Sequence, residues 1–154
     1  MMILIQVLFS FISTVAFGVL TNIPKRALIS TGITGSLGWM LYWGLRKAGW
    51  GLGFSNFLAA FFIGCLSIYF SRHKKMPMII FNIPSLVPLV PGGPAYKAVR
   101  ELVLGDNAMA VQNTVIVLIT AGAIAGGFLV TGVVENLLQR LKARRLQKNT
   151  AEKG

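Results

Sequence analysis

The sequence predicts an all-α integral membrane protein of about five transmembrane helices, the fourth broken by proline and glycine, plus a short amphipathic helix. Three observations carry that expectation. Apolar residues make up 55% of the 154 residues, and the mean hydropathy is +0.70. Charged residues are only 12%, against about 25% in a soluble domain. Apolar runs close to the ~20 residues that span a hydrocarbon core alternate with short basic clusters. The chain reads as a single domain, residues 1–154, without a soluble module.

The first segment, about residues 2–20, is apolar from its start. It lacks a basic leading region and so predicts no cleaved signal peptide. The second, about residues 27–45, carries Gly32, Gly35 and Gly38 on one sector, a spacing that lets helices approach closely. Trp39, Tyr42, Trp43 and Trp50 lie towards its end and just past it, as an aromatic belt would. The third, about residues 52–70, holds Cys65. As the lone cysteine it excludes an intrachain disulfide and reads as a small buried or lipid-facing residue. The fifth, about residues 111–134, is the longest and tolerates tilt. Gly122 and Gly126 form a GxxxG there, suited to helix packing within the protomer or between protomers. From about residue 135 a basic helix end frays into a polar cytoplasmic tail.

The fourth segment differs. Residues 76–96 contain no charge, and as straight helix they would cover about 30 Å, enough to cross; the alternative is a re-entrant loop. Four of the six prolines fall here, in NIPSLVPLVPGGPAY. The following PAYKAVRELVLGDN places Ala95, Ala98, Val99, Leu102 and Val103 at helical spacing, with Lys97, Arg100 and Glu101 on the other side. Pro94 suits a first helical position and Gly105 a helix end. This is a short amphipathic helix at an interface or against a partner.

Charge placement sets the expected orientation. Of the 15 Lys and Arg, five crossings put 11 on one side: Lys25, Arg26, Arg72, Lys74, Lys75 and six in the tail. The other side receives 4: Arg46, Lys47, Lys97 and Arg100. The positive-inside rule then predicts a multi-pass protein of the cell membrane with its N-terminus outside and its C-terminus cytoplasmic. Clusters confined to the flanks of apolar runs also argue for bilayer headgroups, not nucleic acid, as the partner of the +11 net charge.

No enzyme is predicted, and no cofactor or metal. The four acids are Glu101, Asp106, Glu135 and Glu152, all near aqueous flanks, and the one histidine, His73, belongs to a basic loop. No paired carboxylate, phosphate loop or nucleophile motif is present. No ionisable residue sits in mid-membrane, where proton and ion paths are usually marked. A coupling or gating role therefore falls to the edge residues Glu101 and Asp106, or to another chain.

What remains is the break. Proline removes an N–H and clashes with the carbonyl four residues back, so Pro84 frees Ile80 and Pro88 frees Pro84. Unpaired backbone in lipid costs several kcal/mol per group and survives only inside protein or beside a wet cavity. Transporters use broken helices in this way, with freed carbonyls facing a cation and the next helix N-terminus facing an anion. A zwitterion fits, with its ammonium on carbonyls near Ile80 and Pro84 and its carboxylate on amides near Ala95. Asn82, Ser85 and Tyr96 are placed to add side-chain bonds, and Pro88, Pro91, Gly92 and Gly93 to hold the backbone open. The other reading of the same residues is a kinked helix with a structural loop.

VPLVPGGPAY (residues 87–96), TNIPKRAL (residues 21–28) and the run from Ala60 through Gly64 to Ser71 and Arg72 resemble the threonine/serine exporter family in its small-subunit form. The resemblance implies half of a transporter, exporting threonine- or serine-type amino acids together with a larger related membrane subunit. Some two-subunit relatives are associated with dicarboxylates such as succinate. The carry-over covers Asn22, Pro24, Arg26, Pro88, Pro91, Gly92, Ala95 and Tyr96, and Arg26 joins Glu101 and Asp106 as a coupling or gating candidate. Pro94 departs from the pattern, being rigid where the family is expected to be flexible. Five short helices are too few to enclose a polar path, so a partner subunit or a homo-oligomer is expected. The competing class is a membrane scaffold that assembles another protein without transporting.

Overall fold

A computed structural model describes the backbone of residues 2–151 and the side chains of residues 3–140. Among these residues six α-helices and one 3-10 turn follow in order: α1 (Met2–Leu20), α2 (Lys25–Lys47), α3 (Leu52–Lys74), α4 (Ile79–Leu86), the 3-10 turn (Val87–Leu89), α5 (Gly92–Leu104) and α6 (Asn107–Ala151).

Left-handed residues stop the helices. Asn22 (φ 54°), Gly49 (φ 88°), Lys75 (φ 53°) and Gly105 (φ 85°) each sit in the turn between two helices. Beyond α1, the Ile23 N–H bonds the Gly18 carbonyl at 3.0 Å. Pro24, at φ −55°, then leads into α2. Asn22 and Pro24 of the TNIPKRAL stretch thus shape this corner locally, because asparagine tolerates the left-handed region and proline suits a helix start.

α2 is the central helix, in contact with α1, α3 and α4. Its buried face is Ala27, Ser30, Thr31, Gly32, Thr34, Gly35, Ser36 and Gly38. Small residues let three helices converge, and the hydroxyls are satisfied within the helix: Thr34 Oγ1 donates to the Ser30 carbonyl and Ser36 Oγ to the Gly32 carbonyl, both at 2.8 Å. Buried polar groups paired in this way carry little net cost. A methyl on Gly32 would meet the Phe11 ring of α1 at 2.5 Å, and one on Gly38 would strike Ile63 of α3.

α3 and α6 run parallel. Gly53 faces Ile119, Gly127 lies against the Phe57 carbonyl, and Gly64 lies against Thr131, so both residue numbers rise together. Lys74 Nζ, at the end of α3, reaches the Arg26 carbonyl at the start of α2 and marks one end of the bundle. Arg46, Trp50 and the start of α3 mark the other. The fourth segment starts beside Ala27 and Phe70 at the first end, and Pro91 shares a cavity with Tyr42 and Leu52 at the second. Because Ile119 is level with Gly53, residues 107–118 of α6 extend about 18 Å past that level. α5 packs back along them as an antiparallel hairpin and touches α6 in preference to the other helices.

Among the described residues, three helices are long and apolar enough to cross a membrane: Ile3–Leu20, Leu52–Lys74 and Asn107–Arg140. This is fewer than the five anticipated segments, for two reasons. α2 has the length, at 23 residues, but its buried face is largely Gly, Ser and Thr, which lowers its hydropathy because that face meets protein. The fourth segment is not one helix of 21 residues. It divides into the apolar piece Ile79–Leu89, then an extended Val90 (φ −62°, ψ 128°), then α5. The last helix is longer than anticipated. α6 has 45 residues, about 67 Å of helix, and continues through the region where fraying was expected. The tail side chains beyond residue 140 lie outside those described.

Candidate functional site

The break heals much of its own backbone. Pro84 lies inside α4, fully buried, and leaves the Ile80 carbonyl without its α-helical donor. Further on, the 3-10 geometry substitutes. The Val87 N–H donates to the Pro84 carbonyl, so the carbonyl that Pro88 was expected to free is paired. The Val90 N–H donates to the Val87 carbonyl at 3.3 Å, the Gly92 N–H to Val90 at 2.8 Å, and the Ala95 N–H to Pro91 at 3.0 Å. The Ala95 amide is therefore engaged and does not point freely at the break.

Three cavities adjoin one another near this segment; two of them border it, and the third lies beyond it between α5 and α6. The middle one, about 190 Å³, lies among α2, α3, α6 and the break; Trp39, Tyr42, Asn56, Pro88, Pro91, Pro94 and Thr120 line it. Asn56 is 1% and Thr120 3% exposed, so the cavity presents buried polar side chains amid apolar walls. That is the composition of a small-solute site, on a scale below the roughly 300–1,000 Å³ of drug-sized pockets. On one side Ile116 separates it from a groove of about 420 Å³ between α5 and α6, bordered by Lys97, Arg100, Glu101, Asp106, Gln112 and Asn113. On the other side Trp39 and Pro88 separate it from a groove of about 280 Å³ along α1, bordered by Gln6, Phe9, Ser10 and Ser13.

The sequence-derived site residues distribute unevenly over this path. Pro88 and Pro91 form cavity walls, with Pro94 beside them. Glu101 and Asp106 border the hairpin groove; Glu101 pairs with Arg100 at 3.1 Å, and Asp106 accepts from the Met109 N–H at 3.0 Å to cap α6. Asn82, Pro84 and Ser85 lie deeper in the bundle, towards the Ala27 end. Ser85 Oγ donates to the Thr31 carbonyl at 3.0 Å, and Asn82 Oδ1 is buried without a partner. Gly92 and Gly93 are exposed in the first turn of α5, with open space where a methyl would go. Tyr96 is 70% exposed. Ile80 and Ala95 are separated by about 13 Å or more of helical rise, so one small zwitterion does not bridge them as anticipated. Arg26 stands at the opposite end of the bundle from Glu101 and Asp106.

Among the glycines, Gly32 and Gly35 meet α1, Gly38 meets α3, and a methyl on Gly126 would lie 3.5 Å from the Phe57 ring, whereas Gly122 faces open space. The closest approach to the α3 backbone belongs to Gly127, where a methyl would come 2.6 Å from the Phe57 carbonyl oxygen.

Several cavity residues escaped the sequence reading. Trp39 is not merely part of an aromatic belt: it is half-buried, and its Nε1–H donates to Gln6 Oε1 at 2.7 Å. Gln6, Ser10 and Ser13 repeat at intervals of four and three in an otherwise apolar helix, a polar stripe visible in the sequence. Asn56 and Thr120 had no such signal, since Thr120 is a lone polar residue in an apolar run and Asn56 has only Ser55 beside it.

No solved structure matches the chain. The family model described as threonine/serine exporter, ThrE, matches residues 6–134. That range contains every residue named as lining the three cavities, from Gln6 to Thr120, and the chain accordingly belongs to the threonine/serine exporter family.

Proposed function

We propose that this chain is one membrane subunit of an exporter of small polar metabolites, carrying threonine- or serine-type amino acids and acting with a larger related membrane subunit. The observation that carries the reading is the middle cavity beside the break, which shares the wall residue Ile116 with the hairpin groove and the wall residues Trp39 and Pro88 with the α1 groove. In this reading Asn56 and Thr120 contact the solute in the middle cavity, Pro88 and Pro91 shape it, and Glu101 and Asp106 act at its hydrated edge.

The charges favour a zwitterion over a dicarboxylate. Lys97 and Arg100 offer positive charge to a carboxylate, while Glu101 and Asp106 offer negative charge to an ammonium group. A succinate-type dianion would gain from the first pair and be repelled by the second.

Five crossings are supported by α1, α2, α3, the fourth segment and α6 each running between the two ends of the bundle. Lys25, Arg26, Arg72, Lys74 and Lys75 gather at one end and the hairpin lies at the other, so the positive-inside rule makes the first end cytoplasmic and the hairpin external. The need for a second subunit is supported by α5, whose Tyr96, Val99 and Val103 are 70%, 64% and 81% exposed on the side turned from α6. Apolar surface of that kind calls for a protein or lipid neighbour.

The test is metabolite efflux from cells carrying this chain with and without the larger subunit. Threonine or serine should accumulate outside only when both are present. Succinate accumulating instead would replace the substrate assignment, and no solute accumulating in any arm would favour the scaffold.

A further inference from the structure

Trp39 stands between two of the cavities. Trp39 forms a wall of both the middle cavity and the groove along α1, and Pro88 completes the partition from the 3-10 turn. Gly38, the neighbouring residue, is pressed onto Ile63 of α3, which fixes the backbone from which the indole projects. The indole itself is held by one polar contact, the 2.7 Å bond from Nε1–H to Gln6 Oε1. On α1, Gln6 continues into Ser10 and Ser13, and the Ser10 hydroxyl donates to the Gln6 carbonyl at 2.8 Å. The polar face of α1 therefore begins where the partition is latched.

We propose that Gln6 is a positioning residue that latches Trp39 as the barrier between the middle cavity and the α1 groove, and that a solute crosses by exchanging the Gln6–Trp39 hydrogen bond for bonds to itself. This rests on the transport reading above. The chemistry selects the solute. Opening the latch in apolar surroundings leaves an indole donor and an amide acceptor unpaired, which is costly unless both are re-satisfied. A molecule with a carboxylate or carbonyl for the indole N–H, and an ammonium or hydroxyl for the Gln6 oxygen, supplies both partners. An apolar molecule supplies neither. The partition thus discriminates by hydrogen-bonding capacity, and the cavities discriminate by size.

The test uses the full chain in lipid nanodiscs with Trp43→Phe and Trp50→Phe, which leaves Trp39 as the only tryptophan; neither replaced ring lines the cavities. Acrylamide quenching then reports how open Trp39 is. Gln6→Leu should raise the fraction of Trp39 reached by acrylamide about fivefold, the effect of losing one ordinary hydrogen bond. Gln6→Glu, which retains an acceptor, should restore it. Gln6→Asn, too short to reach the indole, should resemble Gln6→Leu and serves if the leucine variant fails to fold. Adding L-threonine should increase quenching in the protein with Gln6 and add nothing in Gln6→Leu. Equal quenching in Gln6, Gln6→Leu and Gln6→Asn proteins, with export per assembled complex also equal, would overturn the latch while leaving the transport reading intact. Absence of export from the complex, with the quenching response to Gln6→Leu still present, would count against the transport reading and leave the Gln6–Trp39 partition standing.

Discussion

Gly64 on α3 lies directly against Thr131 on α6, and the Thr131 hydroxyl donates to the Gly127 carbonyl at 2.9 Å, one turn earlier. Gly127 in turn rests on the α3 backbone at Phe57 and Phe61. The two parallel helices therefore approach through reciprocal small residues, a glycine on each, with a threonine tucked into the space. Gly64→Ala or Gly127→Ala should lower stability by about 1–3 kcal/mol through overpacking. Gly127→Ala should be the worse of the two, because the added methyl meets backbone, which cannot rotate away. Gly122→Ala meets nothing and should be neutral, or favourable by up to ~1 kcal/mol from helix propensity. Thermal unfolding in mild detergent reads all three. Thr131→Ala combined with Gly64→Ala should recover part of the loss, as neighbouring sites do.

The hinge of the fourth segment is Val90–Pro91 and not the glycine pair that follows. Gly92 and Gly93 belong to the first turn of α5, where neither needs a positive φ and neither faces a side chain. Alanine at both positions is therefore expected to leave export per assembled complex unchanged and to favour α5 by roughly 1 kcal/mol per residue. Pro91→Ala is expected to lower that ratio, since it releases the fixed φ at the corner and reshapes the cavity wall. The measurement is export rate divided by the amount of complex recovered. A large loss in the double alanine variant would return the hinge to the glycines.

The all-helical class and the order of the apolar helices were legible because lipid-facing residues must be apolar, and that requirement writes itself into hydropathy. α1, α3 and α6 are visible for this reason. α2 was legible by length and by its glycines, although its interior position makes it polar by the standards of a membrane span. The site was harder to read. Prolines flagged the break correctly, and Pro88 and Pro91 do border a cavity. But a set of prolines cannot reveal that a 3-10 turn re-pairs the carbonyls of Pro84 and Val87. Nor can it reveal that Trp39, 49 residues before Pro88, closes the same cavity. Such contacts depend on the register between helices, which is set by glycine and threonine packing spread over α1, α2, α3 and α6.

The arrangement of the hairpin makes a topological prediction. Asn107 is exposed at the tip of the hairpin, where α6 begins, and Arg26 is exposed at the opposite end of the bundle. In a Cys65→Ser background, Asn107→Cys should react with a membrane-impermeant maleimide in intact cells, and Arg26→Cys should react only after permeabilisation. The reverse pattern would invert the orientation. Reaction of both from outside would mean that the fourth segment fails to cross.

The hairpin groove offers the sharpest chemical discrimination. Its cations and acids are interleaved over a short stretch: Lys97 and Arg100 on one turn of α5, Glu101 beside Arg100, and Asp106 where α6 begins. The Arg100–Glu101 pair at 3.1 Å is largely solvent-facing on the arginine side, with 54% of that side chain exposed against 20% for the glutamate. An exposed pair of this kind adds at most about 1 kcal/mol to stability, so neutralising Glu101 should leave folding nearly intact. Its effect on a passing solute is different in kind. Glu101→Gln together with Asp106→Asn removes two negative charges from the groove and leaves Lys97 and Arg100, converting a mixed field into a positive one. A zwitterion then loses the partner of its ammonium group, and a dianion loses the repulsion that excluded it. Threonine export should fall and the succinate-to-threonine export ratio should rise, by about tenfold for each ~1.4 kcal/mol of altered discrimination. The change should be largest at low ionic strength, because charges exposed at a groove are screened within about 10 Å at 0.1 M salt. Asp106→Asn retains a side-chain oxygen able to accept from the Met109 N–H, so the start of α6 stays capped and a loss of transport cannot be ascribed to fraying. If the double variant exports threonine at the native rate, the groove is off the path, and the solute leaves the middle cavity without passing Ile116.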